Sequence, residues 1–265
     1  GRTHVLWNVV AAPEFSLQPK RFCFPIAGCL SYKGYFAKRK AIKEAQRLKA
    51  LGYDVYVGPV SAYSTLGWFA DPILSSFRNW TEDVLSGLIF HELAHQVVYV
   101  KGDTAFNESF ATVVEIEGIR RWMNHRKQPE LSTRHRLNKL RETQFIAMVL
   151  KHRKKLGKLY QSTMKISLKR KRKQFLIKQL RAEYQHLKKA WRGFKGYDNW
   201  VAHSLNNAKL ASLTTYHKFV PAFQQLLKNT GNNLPKFYRE VTRIGVMPVA
   251  RRHAELRKLI TVGNK

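Results

Sequence analysis

The stretch from Glu82 to Val100 is apolar and of helix length, and it carries Ile89-Phe90-His91-Glu92-Leu93-Ala94-His95-Gln96 at its centre. Residues four apart lie on one face of a helix, so His91 and His95 can aim both imidazoles at one point. Their flanks, Leu88, Ile89, Phe90, Leu93, Val97 and Val98, call for burial. Burying two imidazoles and a carboxylate without partners is costly. The fold must therefore give these polar groups something to share. The H-E-x-x-H spacing holds a metal ion, with Glu92 one position on, where its carboxylate reaches a water bound to that metal. The bland alternative, three polar groups on a helix surface, leaves the apolar flanks unexplained.

A catalytic zinc site takes three protein ligands and keeps one position for water. His91 and His95 supply two ligands for one Zn2+ per chain. A second helix begins near Asp103 or Thr104, after the Lys101-Gly102 turn, and runs to about Met123. It carries Asn107-Glu108-Ser109-Phe110-Ala111. Glu108, 13 positions after His95 (108 − 95), is the preferred third ligand, and Glu115, two turns further, competes with it. Glu92 is assigned as general base, taking a proton from the attacking water and passing it to the leaving amine. The developing oxyanion needs another donor. Tyr216, His203, His217, Tyr197 and Tyr99 are candidates that sequence alone ranks poorly.

Upstream, Thr3 to Ala11 is β-branched and aromatic and predicts a strand. A helical pattern from about Tyr35 to Leu51 offers Phe36, Ile42, Ala45, Leu48 and Leu51 as an apolar face. Asp54 to Val60 predicts a short strand, placed at a sheet edge by Pro59. The small and hydroxyl-bearing residues after it, Ala62, Tyr63 and Ser64 among them, can present backbone to a ligand, or form a plain loop. Cys23 and Cys29 allow one disulfide or two buried thiols, and no second Cys pair completes a zinc site.

From Arg126 to Lys195, about 23 Lys and Arg stand against three acids. Apolar residues interleave with them in two helical patterns, Leu137 to Val149 and Leu176 to Leu187. This predicts a long basic hairpin broken near Gly157. The formal net charge is +31. Such an excess either lines solvated helix faces or meets an anionic partner: nucleic acid, an acidic membrane surface or another polyanion. Beyond the hairpin, Asn206-Asn207, Val220-Pro221, Asn233-Leu234-Pro235 and Pro248 each open a helix. No apolar run reaches the roughly 18 residues of a membrane span. The sequence starts Gly-Arg-Thr, read as a processed or truncated start.

With both helices in view, the chain resembles the gluzincin metallopeptidases, in which H-E-x-x-H is followed on a later helix by a glutamate ligand. Asn107-Glu108-Ser109-Phe110-Ala111 is close to the N-E-G-F-A form of the zinc aminopeptidases, and the resemblance implies Glu108 rather than Glu115. The spacing between the two motifs is shorter than in most gluzincins. More closely, the chain is similar to a bacterial aminopeptidase-like family whose activity label is itself inferred from the zinc motif. The matching stretches are Cys23 to Cys29, Tyr32 to Phe36, Ala62 to Phe69, Phe90 to Gln96, Phe106 to Ala111, and Asn206 through Tyr216 to Phe223. The resemblance implies an exported, periplasmic or membrane-associated bacterial protein. It also implies strand addition of an extended peptide along Gly58–Leu66 and a downstream Tyr, here Tyr216, on the oxyanion.

These readings predict an α+β, mostly helical, zincin-like metallopeptidase over residues 1–265. Residues 1–80 form an α/β part with an edge strand, 81–125 the zinc-binding helices, 126–195 the basic arm and 196–265 the C-terminal helices. The activity is peptide-bond hydrolysis, from an end or internally. The alternative is a catalytically weak or inactive zincin-fold protein that binds a polyanion, nucleic acid or an anionic membrane, through the arm.

Overall fold

The computed structural model describes residues 4, 6–24, 28–60, 80–127 and 129–262, leaving aside the side chains of residues 129–132, 214–216 and 261–262. The chain is mostly helical with a small antiparallel sheet, the α+β organisation predicted from the sequence. Strands β1 (Leu6–Pro13), β4 (Lys33–Tyr35) and β5 (Tyr53–Val60) form the sheet in the order β4-β1-β5. Register is fixed by pairs such as Asn8 opposite Gly58 and Val10 opposite Tyr56. As Pro59 predicts, β5 is an edge strand of this sheet among the described residues. A separate hairpin joins β2 (Phe22–Phe24) to β3 (Gly28–Leu30) and sets Cys23 opposite Cys29, which are disulfide-bonded.

Alternation along β1 serves two layers. Val9 and Ala11 pack on helix α1 (Lys38–Ala50), while Val10 and Ala12 pack on Ala208 of helix α7 (Asn207–His217). The α1 face differs by one column from the sequence reading. Ala41, Ala45 and Leu48 are buried, whereas Phe36, Ile42 and Leu51 are exposed. The close approach of the helix to β1 selects small Ala41 over bulkier Ile42.

Helices α2 (Glu82–Val97) and α3 (Thr104–Arg126) form an antiparallel pair. Glu82 accepts from Trp122 and pairs with Arg126 at the open end, and the chain turns through Val98–Asp103 at the other. Glycines let the two axes approach. A Cβ on Gly118 would lie 2.6 Å from the Phe90 ring, and one on Gly87 would lie 2.7 Å from Ile119.

The basic stretch folds as the hairpin of α4 (Pro129–Gln161) and α5 (Ile166–Ala190). The predicted break at Gly157 is incorrect. The helix runs through it and turns at residues 162–165 instead. One glycine costs a helix only about 1 kcal/mol, less than the burial of Leu156 and Leu159 on either side returns. Leu137 and Leu140 are exposed, so the α4 core begins at Phe145.

Short helix α6 (Asp198–Ala202) leads to α7, then α8 (Val220–Asn229), α9 (Leu234–Gly245) and α10 (Val249–Val262). Asn206 caps α7 and also donates to the Val55 carbonyl. Fully buried Asn207 donates to the Pro13 and Glu14 carbonyls, accepts from Tyr160, and its backbone N–H donates to Asp54. This adjacent pair fastens α7 to both long strands and to the basic hairpin.

Candidate metal centre

The residues of the α2–α3 pair converge on one point. One ligand atom each from His91, His95 and Glu108 lies within 4.8 Å of the others. The edge from His91 Nε2 to Glu108 Oε2 is 3.3 Å. Two donors at zinc-bond distance in a tetrahedron stand about 3.4 Å apart. That edge already matches, and drawing in a pair as far apart as 4.8 Å takes a side-chain shift of up to about 1.4 Å by the same geometry. The Nδ1 atom of His95 is buried without a hydrogen-bond partner among the described residues. Two imidazoles and a carboxylate form the donor set that zinc prefers. The residues fit the ion.

Glu115, the competing candidate, meets the other nitrogen of the His91 imidazole. Its carboxylate meets His91 Nδ1 at 3.1 Å while Glu108 meets Nε2, so the imidazole is held at both nitrogens. Carboxylates in this outer position set the tautomer and direction of a metal-bound histidine. Burial alone lowers the His91 pKa, but hydrogen bonds and charge from Glu108 and Glu115 outweigh it and carry it up to about 10. The pocket therefore already favours a cation. At His95, burial is the main influence and holds the pKa down, leaving a neutral imidazole.

Each letter of Asn107-Glu108-Ser109-Phe110-Ala111 has a structural task. Asn107 is 2% exposed and clamps the α2–α3 turn, accepting from the Val100 N–H at 2.8 Å and donating to the Val100 carbonyl at 2.9 Å. Glu108 enters the cluster. Ser109 accepts from the Phe219 N–H, which anchors the α7–α8 turn one residue from Glu108. Phe110 and Ala111 are fully buried in the core shared with α8 and α9. Asp103 caps α3 through the Phe106 N–H and binds Arg252 at 2.6 Å and His253 at 2.8 Å, tying the turn to α10.

The remaining candidates separate. Glu92 follows His91 on α2 and is part-buried. Tyr99 stands edge-on to His95, ring centres 6.3 Å apart, with burial and the Glu108 charge raising its pKa. His217 is held neutral, chiefly by burial, and feels the charge of Glu115. Tyr197 is a core residue stacked on Phe145 at 4.0 Å, and His203 is exposed at the end of α6. Tyr216 lies on α7, which packs against α3, but its side chain is outside the described set. Ala62, Tyr63 and Ser64 lie outside the described residues, so of the Gly58–Leu66 segment only residues 58–60 are placed.

Beside His217, a cavity of about 380 Å³ opens between the sheet and α7. Val10, Tyr56, Val60, Trp200 and Leu213 wall it, and among the described residues no charged side chain lines it. Asn8 also lines it, with a buried Oδ1 that lacks a donor among the described residues.

A family model described as "Putative aminopeptidase" matches residues 1–256. The chain belongs to that family. Membership supports a peptidase activity for the protein. No curated protein and no solved structure matches it.

The spacing argument expected His91, His95 and Glu108 to meet, and the structure brings those three together, with Glu92 next to His91 on the same helix. It missed the orienting role of Glu115, although the spacing of Glu108 and Glu115, seven apart, places both on one helix face. It also missed the Asn107 clamp, which depends on the backbone of Val100.

Proposed function

We propose that this family member is a zinc-dependent peptidase of the gluzincin type, with His91, His95 and Glu108 as zinc ligands. The observation that carries the reading is the convergence of these three donors, with Glu115 on the far nitrogen of His91. Bound there, zinc would supply Lewis acidity and a water acidic enough to ionise near neutral pH. The chain's own groups do the rest. Glu92 holds the attacking water, takes its proton and returns it to the departing amine. Tyr99 and His217 stand near the cluster as donors for the developing oxyanion, and Tyr216 is the candidate that the family resemblance adds. The edge of β5 receives the extended substrate backbone by strand addition. The uncharged cavity beside His217 takes an apolar or aromatic substrate side chain.

Two measurements test this reading. Metal analysis should find one zinc per chain, absent from His91→Ala. Peptide cleavage should be abolished by chelator, restored by zinc, and reduced about 100- to 10,000-fold in Glu92→Gln, the usual range for a lost general base. A panel of amino-acyl and internally quenched peptides decides whether cleavage starts from the amino end. Undiminished cleavage by Glu92→Gln would sink the mechanism.

A further inference from the structure

The basic hairpin carries a feature that the peptidase reading does not use. From residue 150 to residue 178 there are twelve Lys or Arg and no Asp or Glu. Lys151, Arg170 and Lys173 pair with carboxylates from other elements, namely Glu183, Glu14 and Asp54. Lys154, Lys155, Lys158, Lys165, Lys171 and Arg172 have no carboxylate partner among the described residues.

Apolar side chains are exposed among these cations. Met164 is 40% exposed, Ile166 59%, Leu168 50% and Phe175 45%. Single exposed aliphatics are ordinary, but these four fall within twelve consecutive residues at the closed end of a helical hairpin. No residue of 163–175 is buried. Arg170 and Lys173 fasten one side of this helical end to Glu14 and Asp54. At 100° per residue, Leu168, Lys171, Arg172 and Phe175 turn to the other side. Just behind the turn, an open groove of about 560 Å³ is lined by Phe15, Leu17, Tyr160, Arg153, Lys154 and Lys158, and among the described residues by no carboxylate. It offers an aromatic wall and cations to a phosphate.

We propose that the closed end of the α4–α5 hairpin docks on an anionic lipid surface, with Met164, Ile166 and Leu168 entering the headgroup–acyl boundary and the surrounding cations meeting lipid phosphates. Aliphatic insertion combined with a polybasic rim is the pair of signals that gives lasting membrane attachment. A second copy of this chain is a poor occupant, because its equally cationic hairpin end repels the first. Nucleic acid would engage the cations but leaves Met164, Ile166 and Leu168 in water, since it is gripped mainly through phosphates.

The test uses the full chain and vesicle flotation. Phosphatidylcholine vesicles are compared with a phosphatidylcholine–phosphatidylglycerol mixture, and duplex DNA is titrated in parallel. The protein should float with the anionic vesicles and not with the neutral ones, and salt should weaken the association. The double variant Ile166→Asn/Leu168→Asn alters only exposed positions, so circular dichroism and thermal unfolding should match the parent. Its vesicle partitioning should fall about tenfold or more, given the free energy of burying several methylenes. Lys158→Gln/Lys165→Gln should reduce binding to anionic vesicles as well. Tryptophan fluorescence of Phe175→Trp should shift to the blue on anionic vesicles. Absence of flotation, equal flotation on neutral vesicles, or full binding by the aliphatic variant would each overturn the proposal. Duplex DNA binding as tight as vesicle binding and unchanged in the aliphatic variant would reassign the surface to nucleic acid.

Discussion

Replacing Asn107 by alanine isolates the joint between the two helices that carry His91, His95 and Glu108. Its amide makes two hydrogen bonds to the backbone of one residue, Val100, at 2.8 and 2.9 Å. Asn107 is 2% exposed, so truncation strands an N–H and a carbonyl beside a buried position. Each orphaned backbone group costs about 1–3 kcal/mol. Val100 itself is only part-buried, so water reaches it partially and the lower half of that range applies. The sum is about 2–4 kcal/mol by the same scale. Urea unfolding followed by circular dichroism should show a midpoint lowered accordingly, with the slope unchanged. Asn107→Asp sharpens the test. It keeps an acceptor for the Val100 N–H but sets a carboxylate oxygen against the Val100 carbonyl, so it should not rescue. Zinc affinity should fall in both variants, because this turn sets α3, and with it Glu108, against α2. A loss below about 0.5 kcal/mol, the level of an ordinary surface change, would refute the assignment of Asn107 as a clamp.

Other outcomes follow from the same geometry. Glu115→Gln should weaken zinc binding about 10- to 100-fold in chelator competition, as loss of an outer-shell partner does; an unchanged affinity would return Glu115 to the surface. Gly118→Ala should destabilise by about 1–3 kcal/mol through overpacking, because its methyl would press on the Phe90 ring, and restored stability in Gly118→Ala/Phe90→Leu would identify the clash. Acid unfolding should report Asp103. Burial pushes its carboxyl up, but hydrogen bonds from His253 and Arg252 outweigh that and hold the pKa below its ordinary 3.8. A carboxyl depressed in the folded state contributes stability that is fully present above its unfolded value and lost as pH falls through the folded one. The acid limb should therefore lie below about pH 4, and Asp103→Asn should flatten it, as a pH series of thermal unfolding would show.

How much of this was legible beforehand depends on the range of each interaction. His91 and His95 were readable because helical period alone brings them together. Glu108 was readable because a short turn returns the next helix to the same place. Glu115 satisfies the same period, and only the position of the His91 ring decides that one carboxylate takes Nε2 and the other Nδ1. The face of α1 was read with Ala45 and Leu48 in place but with Phe36, Ile42 and Leu51 in error, because apolar character cannot say how closely a sheet approaches. Gly157 misled for a related reason, since its local cost is small beside the burial of its neighbours. Asn206 was legible as a cap, but the four hydrogen bonds of Asn207 join segments far apart in sequence. The asparagines at the two joints, Asn107 and Asn207, show no periodic signal, because what they bind is backbone from elsewhere.

The α2–α3 pair has an electrical consequence of its own. Seven of the chain's 17 acidic residues, Glu82, Asp83, Glu92, Asp103, Glu108, Glu115 and Glu117, lie between residues 82 and 126, in a protein of net charge +31. The two helices are an anionic island in a cationic body. A dication approaching through solution first climbs the repulsive outer field, then falls into the well around His91. Salt flattens that outer hill more than the buried well, so ionic strength should speed metal entry while leaving its retention nearly untouched. For peptides the same field acts in reverse, gathering acidic chains towards the protein before any side chain is read.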